Sequence, residues 1–211
     1  MRTAIIGIGY VGLPLLLELS KKKIKAIGYD IDKKKILSLK NGVSYITDVS
    51  NRELRHVNKS FLFHNFNEKL SSCNYIIICL PTPLKGDEPD LSFITSAFKK
   101  IEPFLRKEQT LILESTVYPG ATKEIFLKKL SKKFKVGKNF YLGFSPERIN
   151  PGQNVNKESK IKIFDTTKIV SGFSKNCLKK VNIFYKNIFK STYICETLEV
   201  AELTKLFENS F

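Results

Sequence analysis

No apolar run in the chain approaches the roughly 20 residues needed to cross a bilayer, and the sequence enters a strand-like stretch at once instead of presenting a signal peptide. A membrane span is therefore not expected, and the expected location is the cytoplasm. Cysteine is scarce. Cys73, Cys79, Cys177 and Cys195 form no CxxC and show no metal-ligand spacing, which argues against a zinc site. Three of them lie in or beside apolar strand-like runs, so reduced, mostly buried thiols are the expectation. The two histidines, His56 and His64, stand in unremarkable surroundings and read as structural. Only five arginines stand against 31 lysines, although the formal charge is +16. Proteins that read nucleic-acid sequence lean on arginine forks and exposed aromatics. The lysines here cluster on helix-like stretches at residues 21–23, 33–35 and 128–135, and such clusters usually form a solvated surface. Nucleic acid is not the expected partner, but a basic surface favours anionic nucleotide ligands.

The 211 residues, 42% hydrophobic and 27% charged, suit a globular chain of one large domain or one and a half. Its organising stretch is Ile5, Ile6, Gly7, Ile8, Gly9, Tyr10, Val11 and Gly12. The apolar run of residues 4–6 suits a buried parallel strand, and it ends in a Gly-x-Gly-x-x-Gly turn that opens an apolar helix. In that order Gly7 makes the tight turn, Gly9 lets the backbone approach a pyrophosphate, and Gly12 lets helix and strand pack closely. The amides at the helix start then face the phosphates. Without a ligand the same residues are only a turn. A second strand at residues 24–29 follows at βαβ distance, however, and ends in Asp30, 18 positions past Gly12. A carboxylate near that offset receives the ribose hydroxyls of NAD and repels a 2′-phosphate, so a bound dinucleotide, NAD, is the preferred reading.

Further strands are expected at residues 61–63, 75–80, 110–113, 140–144, 168–171 and 191–195. Helices are expected at residues 32–39, 91–105, 175–187 and from 196 onward, and a lysine-rich helix before residue 135. Residues 84–90 and 153–166 read as exposed loop and polar mobile segment. This alternation specifies a doubly wound, Rossmann-like α/β fold with a mostly parallel sheet, in which ligands sit at the carboxyl ends of the strands. Residues 1–195 form the expected dinucleotide-binding domain, and residues 196–211 the start of a long central helix.

Four motifs stand at strand ends. The first is the glycine turn. The second is Pro81, Thr82 and Pro83, either a rigid strand exit or a hydroxyl placed for the nicotinamide half of the cofactor. Ser115 and Thr116 follow, either an N-cap pair or hydroxyls that hold phosphate, ribose or a catalytic water. Last comes residues 145–152, where Glu147 is either a loop carboxylate or a group that steers water and takes up a proton. Lys205 and Asn209, four apart, share a helix face; on spacing alone that face reads as solvated.

Together, the run from Gly7 to Pro14, the Pro81-Thr82-Pro83 exit, Glu114-Ser115-Thr116 with Gly120, Ser145-Pro146-Glu147-Arg148, and Ala201-Glu202-Leu203-Thr204-Lys205 with Asn209 resemble the UDP-glucose/GDP-mannose dehydrogenase family. The segment from Glu147 through Arg148, Ile149 and Asn150 to Gly152, with Ser44-Tyr45-Ile46 after Gly42, is most similar to the UDP-N-acetylhexosamine 6-dehydrogenases. That subgroup often has an acidic residue and a histidine after its Pro-Gly, where this chain has Gln153 and Asn156. The resemblance implies oxidation of the sugar's C6 alcohol to a carboxylate in two steps, using two NAD, in surface-polysaccharide precursor synthesis.

It also implies a set of contacts. Gly7, Gly9, Tyr10, Val11, Gly12, Pro81, Thr82, Ser115 and Thr116 would contact the cofactor, with Asp30 and Lys35 at the adenosine ribose. Thr116 would also help hold a water, and Glu147 would assist water and proton handling. Lys205, with Asn209 beside it, would stabilise the developing oxyanion at C6, and Arg148, Ile149 and Asn150 would lie along the substrate. The family's nucleophilic cysteine, in a Gly-rich segment downstream of this helix, has no match here. The half that binds UDP is also missing, so the chain alone is expected to turn over little or nothing, with a homodimer expected for the full-length protein. The alternatives are a non-catalytic dinucleotide-binding remnant and a UDP-glucose or GDP-mannose 6-dehydrogenase.

Overall fold

The computed structural model describes residues 1–86, 88–147 and 163–210, without the side chains of residues 60, 163 and 208–210. In chain order the elements are β1 (Arg2–Ile6), α1 (Gly12–Lys21), β2 (Lys25–Tyr29), α2 (Lys33–Lys40), β3 (Leu62–Phe63), β4 (Tyr75–Ile78), β5 (Leu84–Lys85), β6 (Glu88–Pro89), α3 (Ser92–Ile101), β7 (Thr110–Leu113), α4 (Lys128–Lys133), β8 (Tyr141–Phe144), β9 (Thr167–Gly172), α5 (Lys175–Lys186), β10 (Ser191–Ile194) and α6 (Leu198–Ser210).

Eight strands form one sheet in the order β10-β9-β8-β7-β4-β1-β2-β3. From β3 to β8 all neighbours are parallel, and the order reverses between β1 and β4. That reversal opens a crevice at the strands' carboxyl ends, the place where ligands bind in such sheets. β9 pairs with β8 antiparallel, with Phe144 opposite Ser171. Residues near the start of β9 therefore lie at the crevice end of the sheet, beside the residues that follow β8.

Uninterrupted apolar runs make the central strands, because both faces are covered. Their side chains alternate between two cores. Ala4, Ile6, Ile76, Ile78, Leu111 and Leu113 pack on one face with Ile94 and Phe98 of α3, Phe126 and Leu130 of the α4 region, and Leu198 and Ala201 of α6. Ile5, Ile77 and Ile112 pack on the other face with Leu13 and Leu16 of α1, Ile36 of α2, and Val181 and Phe184 of α5. All four cysteines are free and buried, as expected. No helix among the described residues is long and apolar enough to cross a membrane.

Three local expectations need correction. Residues 84–90 include a small exposed hairpin, β5 against β6, because Gly86 takes the left-handed conformation that a tight reversal needs. The lysine-rich helix begins with a wide π-type turn, Lys123–Leu127, before α4 and ends at Lys133. Residues 91–105 break at Ile101 into a 3-10 turn, Glu102–Phe104, which carries Pro103.

Helix α5 sits directly on β9. A Cβ at Gly172 would fall 2.2 Å from the Leu178 backbone nitrogen. Helix backbone cannot yield as a side chain can, so Gly172→Ala is expected to cost about 2 kcal/mol or more. Urea unfolding monitored by circular dichroism checks this; an unchanged midpoint would contradict the tight contact.

Candidate dinucleotide site

The glycine turn has the shape its spacing predicts. Gly7 has φ +90°, and a Cβ there would fall 2.5 Å from the Cys79 carbonyl oxygen at the end of β4. A Cβ at Gly12 would lie 1.9 Å from the Gly7 carbonyl oxygen, so only glycine lets α1 sit this low on β1. Gly9 is different, since a Cβ there would meet nothing within 4 Å and the turn is open on that side. Val11 at the start of α1 offers no side-chain cap; Leu13 N already donates to the Gly9 carbonyl at 3.0 Å and Pro14 has no N–H, which leaves the amides of Val11 and Gly12 to meet an anion. An open glycine cradle over an uncapped helix start fits a pyrophosphate. Tyr10 is exposed beside it.

Asp30, at the end of β2, is held in place by backbone. Its Oδ2 accepts from Ile8 N at 2.9 Å and its Oδ1 from Asp32 N at 3.0 Å. Asp32 in turn caps α2. Lys35 on the first turn of α2 brings its Nζ to 3.9 Å from Asp30 Oδ2 and 5.7 Å from the centroid of the Tyr45 ring. The Tyr45 hydroxyl donates to the Ile8 carbonyl, and burial followed by the Asp30 and Asp32 charges pushes its pKa up.

Two cavities flank this group. One of about 780 Å³ is lined by Gly7, Asp30, Ile31, His64, Phe66, Leu80 and Phe93, among others. The other, about 490 Å³, is lined by Gly9, Tyr10, Lys34, Lys35, Ser38 and Tyr45, among others. His64 is exposed on the wall of the larger cavity, with Asn65 at 3.2 Å.

The ends of β4 and β7 are tied by hydroxyls. Ser115 Oγ accepts from Leu80 N at 3.0 Å, and Thr82 Oγ1 donates to the Thr116 carbonyl at 2.7 Å. The N-cap reading of Ser115 and Thr116 is thus overturned, because the following helical segment begins only at Ala121. Pro81 and Pro83 are exposed where the chain leaves β4.

Beneath these ends lies a buried ionic cluster that sequence reading did not resolve. Lys168 Nζ donates to Glu147 Oε2 at 2.9 Å and to Glu114 Oε2 at 3.3 Å. The Tyr185 hydroxyl donates to the other oxygen of Glu114. Glu114, Glu147, Lys168 and Tyr185 are 3%, 8%, 2% and 0% exposed. The antiparallel pairing of β9 explains the meeting: with Phe144 opposite Ser171, continued register sets Glu147 opposite Lys168. Burial, reinforced by the Glu147 charge and opposed by Lys168, pushes the Glu114 carboxyl up to about 7. Burial alone would lower the pKa of Lys168, but the two carboxylates outweigh it and raise it. Burial and then Glu114 hold the Cys79 thiol well above its ordinary range, so this thiol is not a nucleophile.

Helix α6 is latched to the segment after β7. Glu202 accepts from Gly120 N at 2.6 Å and Thr122 N at 2.9 Å, and burial raises its pKa despite these bonds. Lys205, one turn on, is only 7% exposed, which corrects its reading as part of a solvated face. Arg148, Ile149, Asn150 and the side chain of Asn209 lie outside the described residues. Among the described residues no group of three or more His, Cys, Asp or Glu is placed to hold a metal.

This fold and cradle define a doubly wound dinucleotide-binding domain. A model of the UDP-glucose/GDP-mannose dehydrogenase family, NAD binding domain, matches residues 1–189. The chain belongs to that family, and its cofactor is NAD. It is 37% identical over 214 residues to a UDP-N-acetyl-D-glucosamine 6-dehydrogenase of Salmonella typhi, with all of this chain and 49% of the relative covered. A protein of the same name from Pseudomonas aeruginosa is 35% identical over 214 residues, again with all of this chain and 49% of the relative covered. The solved structure of a UDP-D-ManNAc dehydrogenase from Pyrococcus horikoshii superposes with a TM-score of 0.86 at 29% identity, covering all of this chain and 50% of that one. The chain spans about half the length of the curated relatives it matches.

The raised Glu114 pKa has a consequence for stability. A buried acid whose folded pKa lies above its unfolded value contributes stability that is fully present below the unfolded pKa and is lost as pH rises through the folded one. Between the ordinary carboxylate range and about 7, the protein is therefore expected to lose stability relative to Glu114→Gln. Urea midpoints of both proteins across that window test it, and parallel curves would contradict the shift.

Proposed function

We propose that this chain is the NAD-binding, N-terminal part of a UDP-N-acetylhexosamine 6-dehydrogenase serving surface-polysaccharide precursor synthesis. What supports the reading is that Asp30, the open glycine cradle, the tied ends of β4 and β7, and Glu147 all follow the carboxyl ends of parallel strands, with the helix that carries the buried Lys205 latched to the segment after β7. NAD supplies the hydride acceptor. Asp30 receives the adenosine ribose hydroxyls, with Lys35 beside it, and Gly7, Gly9, Tyr10, Val11 and Gly12 frame the pyrophosphate. Pro81, Thr82, Ser115 and Thr116 face the nicotinamide half.

Glu147 takes up or steers the proton of the reacting alcohol and water, with Thr116 helping to hold that water. Lys205 stabilises negative charge at C6, with Asn209 beside it; its burial supports this role, because a cation is worth most in a dry site. Arg148, Ile149 and Asn150 lie along the sugar nucleotide. The four buried thiols of the chain do not suit the covalent step of the second oxidation, so NAD binding without steady turnover is expected of these 211 residues. Val200, Leu203 and Phe207 form an exposed apolar face on α6, which supports a homodimer of the full-length protein.

Titration calorimetry tests the cofactor contacts. Asp30→Ala removes a charged hydrogen-bond partner and is expected to weaken NAD binding roughly 10- to 100-fold, while narrowing the preference over NADP. NADH formation by the full-length protein tests the substrate. UDP-N-acetylhexosamines are expected to react faster than UDP-glucose, and the reverse order would overturn the assignment.

A further inference from the structure

Two carboxylates share one ammonium at the carboxyl ends of β7 and β8. Glu114 is the residue after β7, Glu147 lies three residues past β8, and Lys168 is the second residue of β9. With both acids ionised the cluster carries a net charge of −1, and one added proton makes it neutral. On the proposed reading, Asp30 fixes the adenosine at β2 and the glycine cradle fixes the pyrophosphate. The remaining half of the dinucleotide then extends over the ends of β4, β7 and β8, above the cluster. Oxidised nicotinamide carries a positive charge, and reduced nicotinamide carries none.

We propose that the buried Glu114, Lys168 and Glu147 cluster is a proton-linked selector that favours the oxidised over the reduced cofactor, with Glu114 carrying the exchangeable proton. Glu114 suits that role by its partners. Lys168 and Tyr185 both donate to it, while Glu147 takes the shorter bond from Lys168.

Among the described residues, further titratable groups beside the cluster come from the end of β4, from α5 and from α6. β4 contributes Cys79, whose thiol stays protonated. α5 contributes Tyr185, whose phenol burial and then Glu114 hold well above its ordinary pKa. α6, packed on β8 and β9, brings the buried Lys205, whose ammonium form adds one positive charge on this side of the crevice. The proton on Glu114 leaves around pH 7, so the negative charge beneath the nicotinamide grows as pH rises through neutrality. Binding of the oxidised cofactor to the protonated cluster releases that proton to solvent, and binding of the reduced cofactor leaves it in place. Product NADH is thereby disfavoured at the pH where the oxidised form is taken up.

The test is calorimetry of NAD⁺ and NADH with the 211-residue chain from about pH 6 to about pH 8.5, in buffers of different ionisation enthalpy that report proton release. The ratio of NAD⁺ to NADH affinity is expected to rise by about three- to tenfold, the size of one unit charge acting over about 8 Å at a dielectric of about 30 to 60, between the protein and bulk-water values. Proton release should accompany NAD⁺ alone. In Glu114→Gln the ratio should be flat with pH. In Tyr185→Phe, which removes a bond that favours ionised Glu114, the rise should move to higher pH. A flat wild-type ratio with NAD binding intact would overturn the selector and leave the proposed function standing. A slope that survives Glu114→Gln would overturn the assignment of the proton. Failure of the chain to bind either cofactor would overturn both readings.

Discussion

The structure depends on how closely α1 can approach β1. A side chain at Gly12 would overlap the Gly7 carbonyl, and one at Gly7 would overlap the end of β4. Hydrogen at both positions lets three backbones meet where the strand order reverses, and every ligand-facing feature is placed relative to that point. With α1 seated, its leucines fill one core, its uncapped amides open on the crevice, and Ile8 N reaches Asp30. The carboxylate at the end of β2 is thus held by the turn it serves, so the pyrophosphate cradle and the ribose acceptor form one rigid unit.

The opposite side of the crevice is organised by a reversal of strand direction. Had β9 run parallel to β8, its first residues would sit at the far edge of the sheet. Running antiparallel, it delivers Lys168 to the carboxyl ends of β7 and β8. There the ammonium meets two carboxylates that would otherwise be buried without a counter-charge, a state that costs several kcal/mol per ion. Ser145 and Ser171 fasten the same junction, donating to the carbonyls of Ile169 and Phe144 at 2.6 and 3.0 Å. The cluster is thus fixed by sheet geometry.

The strand positions, the glycine turn and the place of Asp30 were legible because each is local: a run of four to six apolar residues, a spacing of three glycines, an offset of 18 residues. The ionic cluster was not. Glu114, Glu147, Lys168 and Tyr185 span 72 positions of sequence (residues 114–185), and a lysine at the start of a short strand looks like the other 30 lysines of the chain until the antiparallel register is known. Lys205 was misread for a related reason, since a helical repeat does not say which neighbour covers a face. Ser115 and Thr116 had the composition of a cap, yet the chain runs five residues further before the helix begins, and their polar groups serve the neighbouring strand end instead.

The chain's large positive charge gains a meaning from this arrangement. Lys34 and Lys35 line the cavity beside Gly9, and Lys100 lines the larger one beside Asp30, so the adenosine and pyrophosphate side of the crevice is basic. The other side holds two buried acids against Lys168. A dinucleotide carries its negative charge on the pyrophosphate and, when oxidised, a positive charge on the nicotinamide. The cluster of acids and lysine is shielded from salt by burial, while the exposed lysines on the other side are not. Ionic strength should therefore act mainly on how fast and how tightly an anionic ligand is captured.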